Sequence, residues 1–195
     1  MNSDFFVESL VKFTEAFLRN NPTDPDYINL QQYASVEHNT FLIKQYEMLL
    51  SHTSGDVIDI GSGVGFAKVV RPSVRTSNVG ANFFVAFEQL MDIECDYRSF
   101  DCLYTDDWVR ADTLFDYAIL HRFMPWSGQT LDARTKSHMF TGVNRVLKDS
   151  GVLIYTPISI TGLDTSRWEK IDTRTYKITK AQIYDEISSS ANKIL

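Results

Sequence analysis

Two cysteines in 195 residues, Cys95 and Cys102, are too few for a disulfide framework, and neither stands in a metal-ligand spacing. No H-x-E-x-H or similar pattern joins the four histidines, so no metal is expected. No apolar run approaches the ~20 residues of a bilayer-crossing helix, which argues against a membrane partner. The opening MNSDFFVESLVKF has no basic region and carries Asp4 and Glu8 early, unlike a secretory leader, so the cytoplasm is the expected location. A net charge of −6 leaves no basic stripe for phosphates and argues against nucleic acid. Internal repeats and low-complexity linkers are absent as well. What remains, with 44% hydrophobic and 23% charged residues, is the composition of one globular domain.

The N-terminal part, residues 1–52, reads as helical and is expected to pack on or lid a core formed by residues 53–195. Phe6, Leu10, Phe13 and Phe17 recur at helical spacing, NNPTDPDY breaks the pattern, and a second helix is expected from about Ser35 to Ser51. Strand, turn and helix then alternate. DVIDI (Asp56 to Ile60), FFVAF (Phe83 to Phe87), FDCLY (Phe100 to Tyr104), FDYAIL (Phe115 to Leu120) and VLIYTPI (Val152 to Ile158) are the strand candidates. A helix with Met139, Val143 and Val146 on one face separates the last two. Apolar strands alternating with helices predict an α/β fold, a doubly wound and mostly parallel Rossmann-like sheet. Ligands of such sheets sit at the carboxyl ends of the strands. Those ends carry Asp59 with the glycine loop, Glu88, Asp106-Asp107-Trp108 and His121-Arg122.

The loop is DIGSGVGF, Asp59 to Phe66. A dinucleotide fingerprint needs a small residue at the third position of G-x-G-x-x-G, and Phe66 stands there. A carboxylate at Asp59 would repel a pyrophosphate, and no Lys-Ser or Lys-Thr follows the glycines as a phosphate loop requires. An oxidoreductase using NAD is therefore disfavoured. The same acid suits a ligand that carries positive charge and no phosphate.

In these residues the chain resembles the class I S-adenosylmethionine-dependent methyltransferases. DIGSGVG is similar to their first motif, FFVAFE to a second strand ending in an acid, and YTDD and FDYAILHRF to the third and fourth strands. VLKDSGVLIYTP is similar to the helix-turn-strand written L-K-P-G-G, with Lys148-Asp149-Ser150-Gly151 at the turn. The likeness runs from about Phe41 to Leu195. It implies S-adenosylmethionine as cofactor, with Asp59, Gly61, Ser62, Gly63 and Gly65 around its methionine part. It further implies Glu88 on the ribose hydroxyls, Asp106 or Asp107 on the adenine amino group, and Trp108 or Phe87 as an apolar wall.

Methyl transfer needs a base only where the acceptor sheds a proton early. His121 is the catalytic candidate for that role. Arg122 would hold an acidic acceptor or pair with Asp116 or Asp132. His38, His52 and His138 read as surface or helix residues. HRFMPW, following the fourth strand, lacks the [ND]-P-P-[YF] stretch of enzymes that methylate exocyclic amino groups of nucleic acids, and neither cysteine follows a proline. The expected acceptor is a small molecule or a protein; the alternative is a non-catalytic member of the fold that binds a nucleoside or a partner protein. Two departures favour the alternative. Gly61 and Glu88 are 27 positions apart, more than the ~20 of a compact strand-helix-strand unit. ITKAQIYDEISSSANKIL reads as the helix before a sixth strand, after which the last strands are lacking, leaving a sheet edge for a partner or following domain.

Overall fold

The computed structural model describes residues 1–79, 81–99, 114–122, 133–157 and 163–191. Helix α1 (Ser3–Asn20) starts at Asn2, whose side chain accepts from the amides of Asp4 and Phe5. A short helix α2 (Tyr27–Leu30) runs into a 3-10 turn (Gln31–Ala34), and Ser35 caps helix α3 (Val36–Ser51) through the amide of His38. The sheet then begins with β1 (Val57–Ile60), α4 (Phe66–Val70), β2 (Arg75–Val79), α5 (Asn82–Met91) and β3 (Tyr97–Ser99). It continues with β4 (Phe115–His121), α6 (Ala133–Val146), β5 (Leu147–Thr156), β6 (Glu169–Asp172), β7 (Thr175–Thr179) and α7 (Lys180–Ala191). Among the described residues no helix is long and apolar enough to cross a membrane.

Among the described residues seven strands form one sheet in the order β3-β2-β1-β4-β5-β7-β6, parallel except where β7 runs against both β5 and β6. The chain winds outward from β1 through β2 to β3, then returns to the other side of β1 with β4. That reversal puts a crevice at the carboxyl ends of β1 and β4.

Alternation along the strands assigns each residue to a face. Ile58, Ile60, Ala118, Leu120, Leu153 and Tyr155 join a core cluster with Met139, Phe140 and Val143 of α6 and Ile183 of α7. Val57, Ile119 and Ile154 join the opposite cluster with residues of α1, α3, α4 and α5. Asp59 and His121 share that second parity, so the N-terminal helices cover the face that carries them. Phe6 of α1 is fully buried there, edge-on to Phe66 at 5.5 Å and to Phe87 at 5.4 Å. On the other face the buried pair Lys136–Glu186, at 3.2 Å, ties α6 to α7.

Three expectations are corrected. FFVAF is not a strand but the middle of α5, where Phe83, Phe87 and Met91 repeat every four residues along one buried side. A short apolar run does not distinguish strand from buried helix, and here the four-residue repeat decides. The second strand is RTSNV, within the long interval between Gly61 and Glu88, and Asn78 on it stands 17 positions after Gly61. The last strands are present too: β6 and β7 form a hairpin before the C-terminal helix, and β7 covers β5. No edge is left bare at β5; the outer strand β6 carries Glu169, Lys170 and Asp172, charges that discourage edge pairing. FDCLY lies outside the described residues, and the third strand seen is Tyr97–Ser99.

At β5 the turn residues Lys148 to Gly151 bulge out of the ladder, between the pairings Phe115–Leu147 and Tyr117–Val152. Gly151 is required there, since a Cβ would stand 2.8 Å from Leu147 Cβ and from the Lys148 carbonyl oxygen. Lys148 answers Asp116 at 3.0 Å, which removes Asp116 as a partner for Arg122.

Phe6→Ala should cost about 3–5 kcal/mol, the penalty for emptying a fully buried aromatic site. Urea unfolding followed by circular dichroism would show the midpoint falling with the slope unchanged.

Candidate functional site

At the end of β1 the chain turns through Gly61, Gly63 and Gly65, with φ of 71°, 57° and 84°. Ser77 of β2 anchors this loop by accepting from the amides of Gly61 at 2.8 Å and Ser62 at 3.0 Å. Gly63 brings the loop close to Tyr33, for a Cβ there would sit 3.5 Å from the Tyr33 hydroxyl. At Gly65 the left-handed φ starts α4, and a Cβ would press on Ile93 Cγ2 at 3.1 Å.

Asp59 lies behind this loop with no exposed surface. Its Oδ1 accepts from the Tyr46 hydroxyl at 3.4 Å, and its Oδ2 has no partner. Burial pushes its carboxyl up to about 7, and the Tyr46 hydrogen bond offsets part of that rise. Tyr46, on α3, also lies edge-on to His121 at 5.2 Å and stacks on Phe66 at 6.2 Å. His121 closes β4 at 8% exposure, and neither ring nitrogen has a partner. Burial and then the Arg122 charge bring its imidazole down to about 4, so it is neutral at neutral pH.

A cavity of about 200 Å³ joins these groups. Gly61, Ser62, Gly63 and Phe66 line one side, His121 and Arg122 another, and Gln32, Tyr33, His38, Leu42 and Tyr46 the roof. Asp59 is one layer behind the wall, joined to it through Tyr46. Ser62 Oγ is buried without a partner. Among the described residues, four of the seven buried side-chain polar atoms lacking a partner belong to Asp59, Ser62 and His121. Burial brings Tyr33 up to about 12 and His38 below its usual value; the Arg122 charge acts on both.

The sequence-derived candidates separate in space. Gly61, Ser62, Gly63, His121 and Arg122 meet at the cavity, Asp59 stands behind it, and Gly65 sits at the α4 start. Glu88 is not at a strand end; it is buried on α5, where its Oε1 accepts from Asn78 Nδ2 at 3.2 Å. Asn78 also donates to the Gly63 carbonyl oxygen at 2.6 Å, so β2 brings an amide to the loop where an acid was expected. Phe87 is fully buried against Phe6 and Phe13 and offers no wall to a ligand. Asp106, Asp107 and Trp108, with Asp132, lie outside the described residues.

Sequence reasoning missed Asn78, Tyr33, Tyr46 and His38. Tyr46 falls within the second expected helix, but nothing in the sequence aimed it at Asp59. Nothing in the sequence placed Tyr33 or His38 above the loop.

No family model and no curated protein matches the sequence. Among solved structures, the PH0226 protein of Pyrococcus horikoshii OT3 matches at a TM-score of 0.52 and 17% identity, over 88% of each chain. CalS10, an amino pentose methyltransferase of Micromonospora echinaspora solved with S-adenosylmethionine, matches at 0.44 and 16% identity over 62% of this chain. DesVI of Streptomyces venezuelae matches at 0.44 and 11% identity over 58% of this chain. The chain spans about half the length of these last two, 49% and 48%. The sheet has the architecture of the class I methyltransferase fold.

Asp59 and His121 pull stability in opposite directions with pH. The raised carboxyl stabilises the fold below pH 3.8, and that contribution is lost as pH rises toward about 7. The depressed imidazole contributes above pH 6.5, and that contribution is lost as pH falls toward about 4. These two contributions should offset each other between those limits. Urea unfolding at a series of pH values should show Asp59→Asn losing stability on acidification through that window and His121→Asn gaining it. At pH 8 Asp59→Asn should be more stable than wild type by about 2–4 kcal/mol, because no carboxylate is then buried.

Proposed function

We propose that the chain is an S-adenosylmethionine-dependent methyltransferase, with residues 1–52 forming the lid over its reacting end and a small molecule or a protein side chain as acceptor. The observation that carries this reading is the cluster of unanswered buried polar atoms at the ends of β1 and β4, above all Asp59 Oδ2. A buried carboxyl without a cation is costly to ionise, and a cationic ligand beside it relieves that cost. The chemistry of the site fits such a ligand, since the glycine loop holds the backbone close and no lysine or arginine of the loop invites phosphate.

When bound, the donor supplies an electrophilic methyl group on a positively charged sulfur, which departs with the bonding electron pair. Asp59 holds the donor's positive charge from behind the loop, and Gly61 to Gly65 lie against its methionine part. Asn78 takes the ribose role at the end of β2, with Glu88 behind it fixing the amide's orientation. Asp106 or Asp107 and Trp108 keep the adenine roles that the resemblance assigns. His121, neutral and desolvated, accepts the hydrogen bond of the acceptor's N–H or O–H and receives the proton that leaves. Leu42, Phe66 and Tyr46 keep water from the reacting centre.

A non-catalytic binder is the weaker reading because the two features that favoured it have gone. The loop-to-second-strand spacing is ordinary once β2 is placed at RTSNV, and β6 and β7 complete the sheet.

Calorimetric titration with S-adenosylhomocysteine should give micromolar binding, weakened at least tenfold in Asp59→Ala, or about 1.4 kcal/mol. A well-folded wild type that binds none of it overturns the proposal.

A further inference from the structure

Arg122 is one of two non-glycine residues described with positive φ, at 49°. Successive residues of a strand point to opposite faces, so a regular continuation of β4 would turn Arg122 away from the face that carries His121. The left-handed turn at Arg122 breaks that alternation, and both residues line the same cavity. An arginine in that conformation is uncommon and carries a backbone cost. Its amide still donates to Thr156 O at 2.9 Å, so the turn is held by the neighbouring strand.

Among the described residues the Arg122 side chain has no carboxylate partner. Asp116 is taken by Lys148 and by the Asp56 amide. Arg122 lines the cavity together with Tyr33, His38 and His121, and its charge acts on all three. The cavity is thus polarised. Its β4 wall presents the unpartnered nitrogens of a neutral imidazole and, from the next residue, a cation with five fixed donors.

We propose that the acceptor is a small carboxylic acid carrying its nucleophilic amine or hydroxyl a few bonds from the carboxylate. Arg122 holds the carboxylate and His121 faces the nucleophile. The two anchors are consecutive residues on one cavity of about 200 Å³, which suits a compact molecule. This inference rests on the methyltransferase reading and narrows its acceptor. A donor carboxylate is the competing occupant of Arg122, and the test separates the two.

Protein saturated with S-adenosylhomocysteine would be titrated, by ligand-observed NMR, with glycine, β-alanine, anthranilate and salicylate and with the primary amide of each. At least one acid should bind ten times or more tightly than its amide. Arg122→Asn, which suits a left-handed φ, should abolish that preference while the affinity for S-adenosylhomocysteine stays within twofold. Equal binding of acids and amides, or binding of none of the acids, overturns the proposal. So does a tenfold loss of S-adenosylhomocysteine affinity in Arg122→Asn, which assigns the arginine to the donor. Titration of wild type with S-adenosylhomocysteine alone reports separately on the methyltransferase reading.

Discussion

Asp59 carries a carboxyl into a place that water does not reach, with the Tyr46 hydroxyl at 3.4 Å as its hydrogen-bond donor. The fold tolerates this because the group can stay protonated at a pH where an exposed aspartate is fully charged. Removing the charge would be a simpler way to stabilise β1, so the position trades stability for a latent negative charge beneath a glycine loop. Tyr46, His121 and the loop are arranged around it. Tyr46 tempers the carboxyl and packs on the imidazole, and the loop exposes backbone over both.

That arrangement depends on which side of the sheet each residue takes. Asp59 and His121 point toward the N-terminal helices because they share strand parity with Val57 and Ile119. Helix α3 can therefore deliver Tyr46 to the carboxyl and His38 to the roof. Helix α1 secures this layer through Phe6, wedged between Phe66 at the start of α4 and Phe87 of α5. The loop, the N-terminal helices and the helix after β2 thus share one aromatic cluster, and packing on that face bears directly on the shape of the cavity.

Hydrophobic periodicity revealed α1, α3, β1, β4 and α6, because each helix buries an apolar stripe against the sheet or its neighbours and each strand an apolar run between the two layers. It failed at β2. Thr76, Ser77 and Asn78 are all buried, yet they are polar; Thr76 and Asn78 are accommodated by side-chain hydrogen bonds, while Ser77 Oγ is without a partner. Asp96 accepts from the Thr76 amide and hydroxyl, and Asn78 donates to Gly63 and Glu88. FFVAF, next door, has the composition of a strand and folds as a helix because its phenylalanines at spacing four meet the aromatic cluster. The β6–β7 hairpin escaped notice for a related reason: its outer strand is charged and exposed along most of its length.

Local chemistry in the sequence determined the glycine loop, the acid two residues before it and the imidazole–guanidinium pair at the end of β4, since each is a matter of residue type at short spacing. Tertiary structure alone decided how these groups meet. Whether a carboxyl is solvated or buried, which hydroxyl answers it and whether an arginine turns toward its neighbour's cavity depend on strand parity, helix placement and one left-handed residue. Those are set by contacts between segments far apart in the chain, and no short stretch of sequence contains them.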